Sequence, residues 1–286
     1  MRLKLIYNPW AGRGRVQRHV PEVQAQLRAL GADVVTHASS SPEDLTREAA
    51  ESSRDVFDRV VICGGDGTLN LALRRFDLSR GTMALVPLGS GDDFARVNGI
   101  PRDVKSACEV VVNGVMREVD IACANDMRYA GVAGVGFDSE VARFAQRVKH
   151  LQGSAVYLYA ILRVLPSFRP LPMRIDGRDE EVMFATFGNT RQYGSGIQIV
   201  PDASIDDGLL DSCIVHRTSR WQLLMTLPLA YGGKHTRKPF VEMRRAREFN
   251  VETNETMDVF ADGEALTKTP ARFSIASERL RIVVPR

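Results

Sequence analysis

The sequence predicts a two-domain α/β protein, with a parallel-sheet domain over residues 1–122 and a mainly antiparallel β-domain over 123–286. Two observations carry this. In the first ~120 residues, short apolar runs alternate with segments of helical period, the pattern of βαβ units. After Asp120 the apolar runs become short and are bounded by turn residues, as antiparallel strands are.

Taken in order, residues 3–7 read as a strand. Val16, Val20, Val23, Leu27 and Leu30 then keep helical spacing. A strand over 33–36 leads to a helix over 42–53, capped by Ser41 with Pro42 at its first position. A Val/Ile-rich strand over 59–63 precedes a helix over 68–76, and a strand over 83–86 precedes a helix over 103–112 that ends at Asn113-Gly114. In the second half, strands are expected over 174–176, 182–187, 209–215, 240–251, 257–261, 271–275 and 280–284. Helices are expected over 139–148, 155–165 and 221–230. The cleft between two such domains is the expected place for a reaction.

At 286 residues with 44% hydrophobic content, the chain can bury one large core or two ordinary ones. The net charge of +3 is too mild to indicate a nucleic-acid partner. It is compatible with a local basic patch on an anionic membrane, and Lys234, His235, Arg237 and Lys238 form such a cluster. Docking through it would weaken with salt; a solvated face explains the same residues. The four cysteines have no C-x-x-C spacing, which argues against zinc. Cys63 and Cys123 lie in apolar runs as buried thiols, pointing to a reducing cytosol. The N-terminus enters a strand without a signal-peptide pattern. No window offers ~18 uninterrupted apolar residues. A cytoplasmic protein, peripheral at the inner face of the membrane, is expected.

The chemistry concentrates in glycine-rich turns after strands. Gly64-Gly65-Asp66-Gly67-Thr68-Leu69-Asn70 follows the third strand and opens a helix. Glycines let backbone N–H groups approach phosphate oxygens, and the helix N-terminus adds partial positive charge. Asp66 would repel phosphate unless it holds Mg²⁺ or water of its shell; a tight turn with a capping Asp is the alternative. Pro87-Leu88-Gly89-Ser90-Gly91-Asp92-Asp93-Phe94-Ala95-Arg96 repeats the pattern after the next strand. Ser90 can donate to a phosphate, and Asp93 can join Asp66 around a metal. Asn8-Pro9-Trp10-Ala11-Gly12-Arg13-Gly14-Arg15 follows the first strand and could cover the nucleotide; Arg13 and Arg15 also read as surface charges.

These segments together resemble the catalytic region of the diacylglycerol kinase family, which includes sphingosine and ceramide kinases and soluble bacterial lipid kinases. The resemblance continues through Gly134-Val135-Gly136-Phe137-Asp138-Ser139-Glu140-Val141, the turn Pro201-Asp202-Ala203-Ser204-Ile205-Asp206-Asp207-Gly208-Leu209-Leu210-Asp211, Gly233-Lys234-His235 and Asp262-Gly263-Glu264. It implies an NAD-kinase-like first domain. It also implies ATP contacts at Asn8, Pro9, Gly12, Gly64, Gly65, Asp66, Gly67, Thr68, Asn70 and Ser90, with Ser39 a weaker one. Asp66, Asp93 and Asp120 would surround catalytic Mg²⁺. A structural Mg²⁺ would take the carbonyls of Ser204 and Leu209 and the side chain of Asp207. Glu264 would accept the proton, with Asp262 beside it. Without the resemblance, Asp262-Gly263-Glu264 reads as a hairpin turn.

The implied activity is transfer of the ATP γ-phosphate to a hydroxyl of a membrane lipid such as diacylglycerol. The alternatives are a soluble-substrate kinase of the NAD-kinase type and a non-catalytic nucleotide-binding regulator. A homodimer is left open. The chain departs from the family with Ser90 for Thr and Asp92 for Asn. Serine keeps the hydroxyl. Asp92 either points to solvent or puts a charge beside the phosphates, and Asp92→Asn is expected to leave activity intact or raise it; a loss of ~100-fold would give Asp92 a role of its own.

Overall fold

A computed structural model describes residues 1–148, 151 and 154–286. The chain forms two compact units, 1–121 with 277–286, and 122–276.

The first unit contains β1 (Arg2–Tyr7), α1 (Ala11–Ala29), β2 (Asp33–Ala38), α2 (Pro42–Ser52), β3 (Arg59–Gly64), α3 (Asp66–Leu73), β4 (Thr82–Pro87), α4 (Asp93–Val97), α5 (Val104–Asn113) and β5 (Val115–Val119). Its six-stranded sheet runs β2-β1-β3-β4, then the C-terminal strand Leu280–Val284, then β5. β2, β1, β3 and β4 are parallel, so the turns after all four leave from the same end of the sheet. The stripe Val16, Val20, Val23 and Leu27 buries α1 against Leu5, Val61 and Val86. α2 starts as its sequence demands: Ser41 Oγ accepts from Asp44 N, and Pro42 sits in the first turn.

The segment 280–284, expected in the second domain, belongs to the first sheet. It pairs parallel with β4 and antiparallel with β5. Its alternating Leu280, Ile282 and Val284 announce a strand, but the partner of a strand is set by non-local packing. The expected boundary therefore has to give back 277–286 to the first unit.

The second unit contains β6 (Ala122–Ala124), β7 (Met127–Tyr129), β8 (Val132–Gly136), α6 (Phe137–Arg147), α7 (Ser154–Val164), β9 (Leu171–Ile175), β10 (Arg178–Gly188), β11 (Leu210–His216), α8 (Arg220–Ala230), β12 (Val241–Ala246), β13 (Glu248–Thr253), β14 (Asp258–Ala261), β15 (Glu264–Lys268) and β16 (Ala271–Ile275). These eleven strands form one antiparallel sheet. One core lies around Tyr129, Phe187, Phe249 and Phe273, with the rings of Phe187 and Phe273 stacked at 4.1 Å. The other lies under α6, α7 and α8. The run 240–251 is two strands: β12 pairs with β11, whereas β13 pairs with β9 and β16. Among the described residues no helix is long and apolar enough to cross a membrane. The cysteines are free; Cys63 is buried and Cys123 only half-buried.

Candidate active site

The turn after β3 is shaped by steric necessity. A Cβ on Gly64 would stand 2.6 Å from Thr68 Oγ1, and one on Gly65 would stand 2.8 Å from the Gly89 Cα. The two glycine-rich turns thus touch backbone to backbone, and only glycine permits it. Leu88 N donates to Gly64 O at 2.9 Å, continuing the β3–β4 ladder into the turns. Gly65 is the N-cap of α3, so the helix N–H groups of Asp66, Gly67 and Thr68 open at the strand end.

Asp66 ties the turns together. Its Oδ2 accepts from Asp93 N at 3.1 Å and its Oδ1 from Phe94 N at 3.2 Å. It thereby caps α4, whose own N-cap residue Asp92 makes no side-chain cap bond. Asp93 is buried next to it. Asp120 is buried, with Oδ1 accepting from Arg279 Nε at 2.9 Å on the returning C-terminal segment.

Asp92 does not point to solvent. It adopts a left-handed conformation at φ 53° and is buried; Oδ1 accepts from Gly89 N at 2.8 Å and Oδ2 from Arg102 Nε at 3.0 Å. Burial pushes its carboxyl above the usual range, against the pull of Arg102 and the Gly89 amide. A raised pKa in the fold means stability that is present at acid pH and lost as pH rises. Asp92→Asn is therefore expected to be at least as stable as the parent at neutral pH, with the difference shrinking on acidification; urea midpoints across pH check it. A neutral-pH loss would show that the Arg102 pair outweighs the burial.

Arg15, a surface charge by its sequence context, reaches the second turn: its Nη2 donates to Leu88 O and Gly89 O, both at 2.7 Å. Arg102 Nη2 donates to Gly89 O at 3.1 Å, and Arg96 Nη2 to Gly91 O at 3.2 Å. Three guanidinium groups thus fix this turn. Nothing in their local sequence singles out Arg15 or Arg102, because their partners, the carbonyls of this turn and for Arg102 also the Asp92 carboxylate, lie ten or more residues away.

The turn after β1 is an Asx turn, Asn8 Oδ1 accepting from Trp10 N at 2.9 Å. Pro9 follows it. Gly12, Arg13 and Gly14 all carry positive φ, which delays the regular helix to Arg15. Ser39 is buried directly after β2, its N–H donating to Tyr7 O. Thr68 and Asn70 are buried on α3, whereas Ser90 is exposed. The expected nucleotide contacts thus sit at the carboxyl ends of β1, β2, β3 and β4.

In the second unit, Asp262-Gly263 is a two-residue hairpin turn between β14 and β15, at φ 49° and 86°. Asp262 is committed: its Oδ2 accepts from Gly131 N at 3.0 Å and its Oδ1 from Val132 N at 2.9 Å. It anchors the hairpin to the start of β8. Glu264 is exposed just beyond, with Gln146 Nε2 donating to its Oε2 at 3.2 Å and to Gly263 O at 2.9 Å. These contacts of Gln146 on α6 were not revealed by the sequence alone.

Asp138, in the first turn of α6, accepts from Tyr193 Oη at 2.6 Å. Burial raises its carboxyl from 3.8 to about 6, partly offset by that hydrogen bond. The sign is again that of a raised acid: its contribution to stability is complete below 3.8 and is lost as pH rises through about 6. Asp138→Asn should flatten the pH dependence of the thermal midpoint across that interval; an unchanged slope would refute the assignment.

The turn preceding β11 offers oxygen donors of the kind Mg²⁺ takes. Asp207 Oδ1 accepts from Leu209 N at 3.0 Å, and Ser204 Oγ donates to Asp206 Oδ1 at 2.9 Å. Arg245 already brings positive charge there: its Nη2 donates to Asp202 O at 2.5 Å, its Nε to Asp211 Oδ1 at 3.0 Å, and its Nη1 lies 3.9 Å from Asp207 Oδ2. Glu180, His216 and Glu242 also bring ligand atoms within 4.8 Å of one another. There Arg244 bonds both carboxylates, holding Glu242 down at about 2.

Glycine turns at the ends of parallel strands, tied by Asp66, define a phosphate-handling α/β protein. Residues 2–124 match the diacylglycerol kinase catalytic domain, and residues 131–284 match the YegS C-terminal NAD kinase beta sandwich-like domain. A diacylglycerol kinase of Bacillus subtilis (strain 168) is 30% identical over 100% of this chain and 97% of its own length. One from Mycobacterium tuberculosis (strain ATCC 25618 / H37Rv) is 33% identical over 98% and 94%. A crystal structure of a diacylglycerol kinase from Bacillus anthracis str. Sterne shares the fold with a TM-score of 0.72 at 20% identity, covering 99% of this chain and 96% of that one. Another solved structure from that organism reaches 0.80 at 24%. The chain belongs to the diacylglycerol kinase family and is a lipid kinase.

Proposed function

We propose that the protein transfers the γ-phosphate of ATP to a hydroxyl of a membrane lipid, diacylglycerol being the first candidate. The observation that carries this reading is the contact of the 64–68 and 87–93 turns, with Asp66 bonding the amides of Asp93 and Phe94. Amides at the N-terminus of α3 and the turn after β1 would bind the triphosphate, with Ser90 donating from the second turn. Asp66 and Asp93 would hold Mg²⁺, joined by Asp120. The ion, when bound, neutralises charge on the transferring phosphoryl group.

Glu264 would take the proton from the lipid hydroxyl, whose oxygen bonds to the γ-phosphorus as the β–γ bridging P–O bond breaks and ADP leaves. Gln146 holds that carboxylate in place. Ser204, Asp207 and Leu209 would take a structural Mg²⁺ only if it tolerates Arg245 as a neighbour. The reading places the protein in the cytoplasm, at the membrane surface. Incubation with Mg²⁺, γ-labelled ATP and a lipid panel in mixed micelles tests it. Label in one lipid names the substrate. Label in none, with ATP bound, moves the assignment to a soluble substrate.

A further inference from the structure

A helix that packs one face on a core normally shows polar residues on the other. α8 does not. Leu223, Leu224 and Leu227 pack on the core that includes Ala230, and Thr226 is buried. The outward face carries Trp221, Met225 and Pro228 and continues to Tyr231, positions one helical stripe apart. Trp221 is 75% exposed and Met225 71%. The helix is held in this register by a capping box, Ser219 with Gln222. An apolar stripe so placed is a contact surface.

The charge around it indicates the partner. Residues 217–241 contain no Asp or Glu but carry Arg217, Arg220, Lys234, Arg237 and Lys238. Arg217 pairs with Glu181, and Arg220 donates to Phe168 O. Lys234 and Arg237 stay exposed on the 3₁₀ turn Lys234–Arg237, which His235 anchors by its contact with Ile199 O at 3.0 Å. Aromatic and thioether side chains on a segment that also exposes Lys234 and Arg237 match the interface of an anionic bilayer, where rings sit at headgroup level and cations meet lipid phosphates.

We infer that α8 is the membrane-docking element, entering an anionic phospholipid surface with Trp221 and Met225 while Lys234, Arg237 and Lys238 contact its headgroups. The inference rests on the reading of the substrate as a membrane lipid, but its test does not require turnover.

The chain has two tryptophans, so Trp10→Phe leaves Trp221 as the only reporter. On phosphatidylcholine vesicles containing phosphatidylglycerol, Trp221 emission should shift to the blue and be quenched by brominated acyl chains, and less so at high salt. Met225→Glu should weaken vesicle partitioning about tenfold or more. Lys234→Gln with Arg237→Gln and Lys238→Gln should weaken it about a hundredfold at low salt. Met225→Glu should keep its phosphoryl-transfer rate on a short-chain, monomeric diacylglycerol, which excludes misfolding. A Trp221 shift without turnover on any lipid would uphold the docking while refuting the substrate.

Three results would overturn the inference. One is vesicle binding with Trp221 emission unchanged. Another is loss of binding in Leu158→Glu on α7 but not in Met225→Glu. The third is a concentration-dependent shift without vesicles, which would give the stripe to a second copy of the chain.

Discussion

Glu264→Gln is expected to lower the rate of phosphoryl transfer by about 10²–10⁴ while leaving ATP affinity unchanged. The substitution keeps size and shape but removes the only function proposed for the group, taking a proton. Glu264 is exposed on a hairpin whose turn is fixed independently, through Asp262 and the amides of Gly131 and Val132. The fold therefore has little reason to respond, and the effect should fall on turnover alone. Gln146→Ala removes the 3.2 Å bond to the carboxylate and should cost about tenfold in kcat, with the acidic limb of the pH–rate profile displaced. A merely structural Gln146 would leave that limb in place. Single-turnover rates decide the matter: Glu264→Gln turning over near the parental rate would remove Glu264 from the mechanism.

Asp66→Ala should have the next largest effect, and on two quantities at once. Its loss leaves the amides of Asp93 and Phe94 without acceptors and uncaps α4, a cost of about 1–2 kcal/mol in stability. It also removes a carboxylate proposed for Mg²⁺, with a loss of about a hundredfold or more in transfer. Asp66→Asn separates the two. Its one carbonyl oxygen can still accept an amide, so stability should largely return, whereas a neutral amide is a poor Mg²⁺ ligand and transfer should stay low. Restoration of both in Asp66→Asn would make Asp66 a cap only.

Residues with a strong local signature were legible in the sequence. The 64–70 and 87–96 turns announced themselves because glycine after an apolar strand has few other uses. Asp262-Gly263-Glu264 shows how one motif carries two readings: it is a hairpin turn in backbone terms, and it presents Glu264. Missed elements had weak local signals. β6 and β7 are three residues each, β8 reads Val-Ala-Gly-Val-Gly, and β15 is mostly exposed. The five residues of α4 were hidden in what looks like a loop, because its cap, Asp66, lies in another turn.

The sequence by itself determined the alternation of strands and helices, the glycine turns at strand ends, the capped start of α2 and the family. The first three depend on periodicity and on backbone conformations that few residues allow; the family is carried by the resemblance of the motifs and their order. Only the tertiary structure decided that 280–284 completes the first sheet, that Asp92 is buried against Arg102, that Arg15 clamps the 87–93 turn, and that Asp66 caps α4. Each of these joins groups separated along the chain, and a hydrogen bond or ion pair depends on distance in space, which no local pattern of residues encodes.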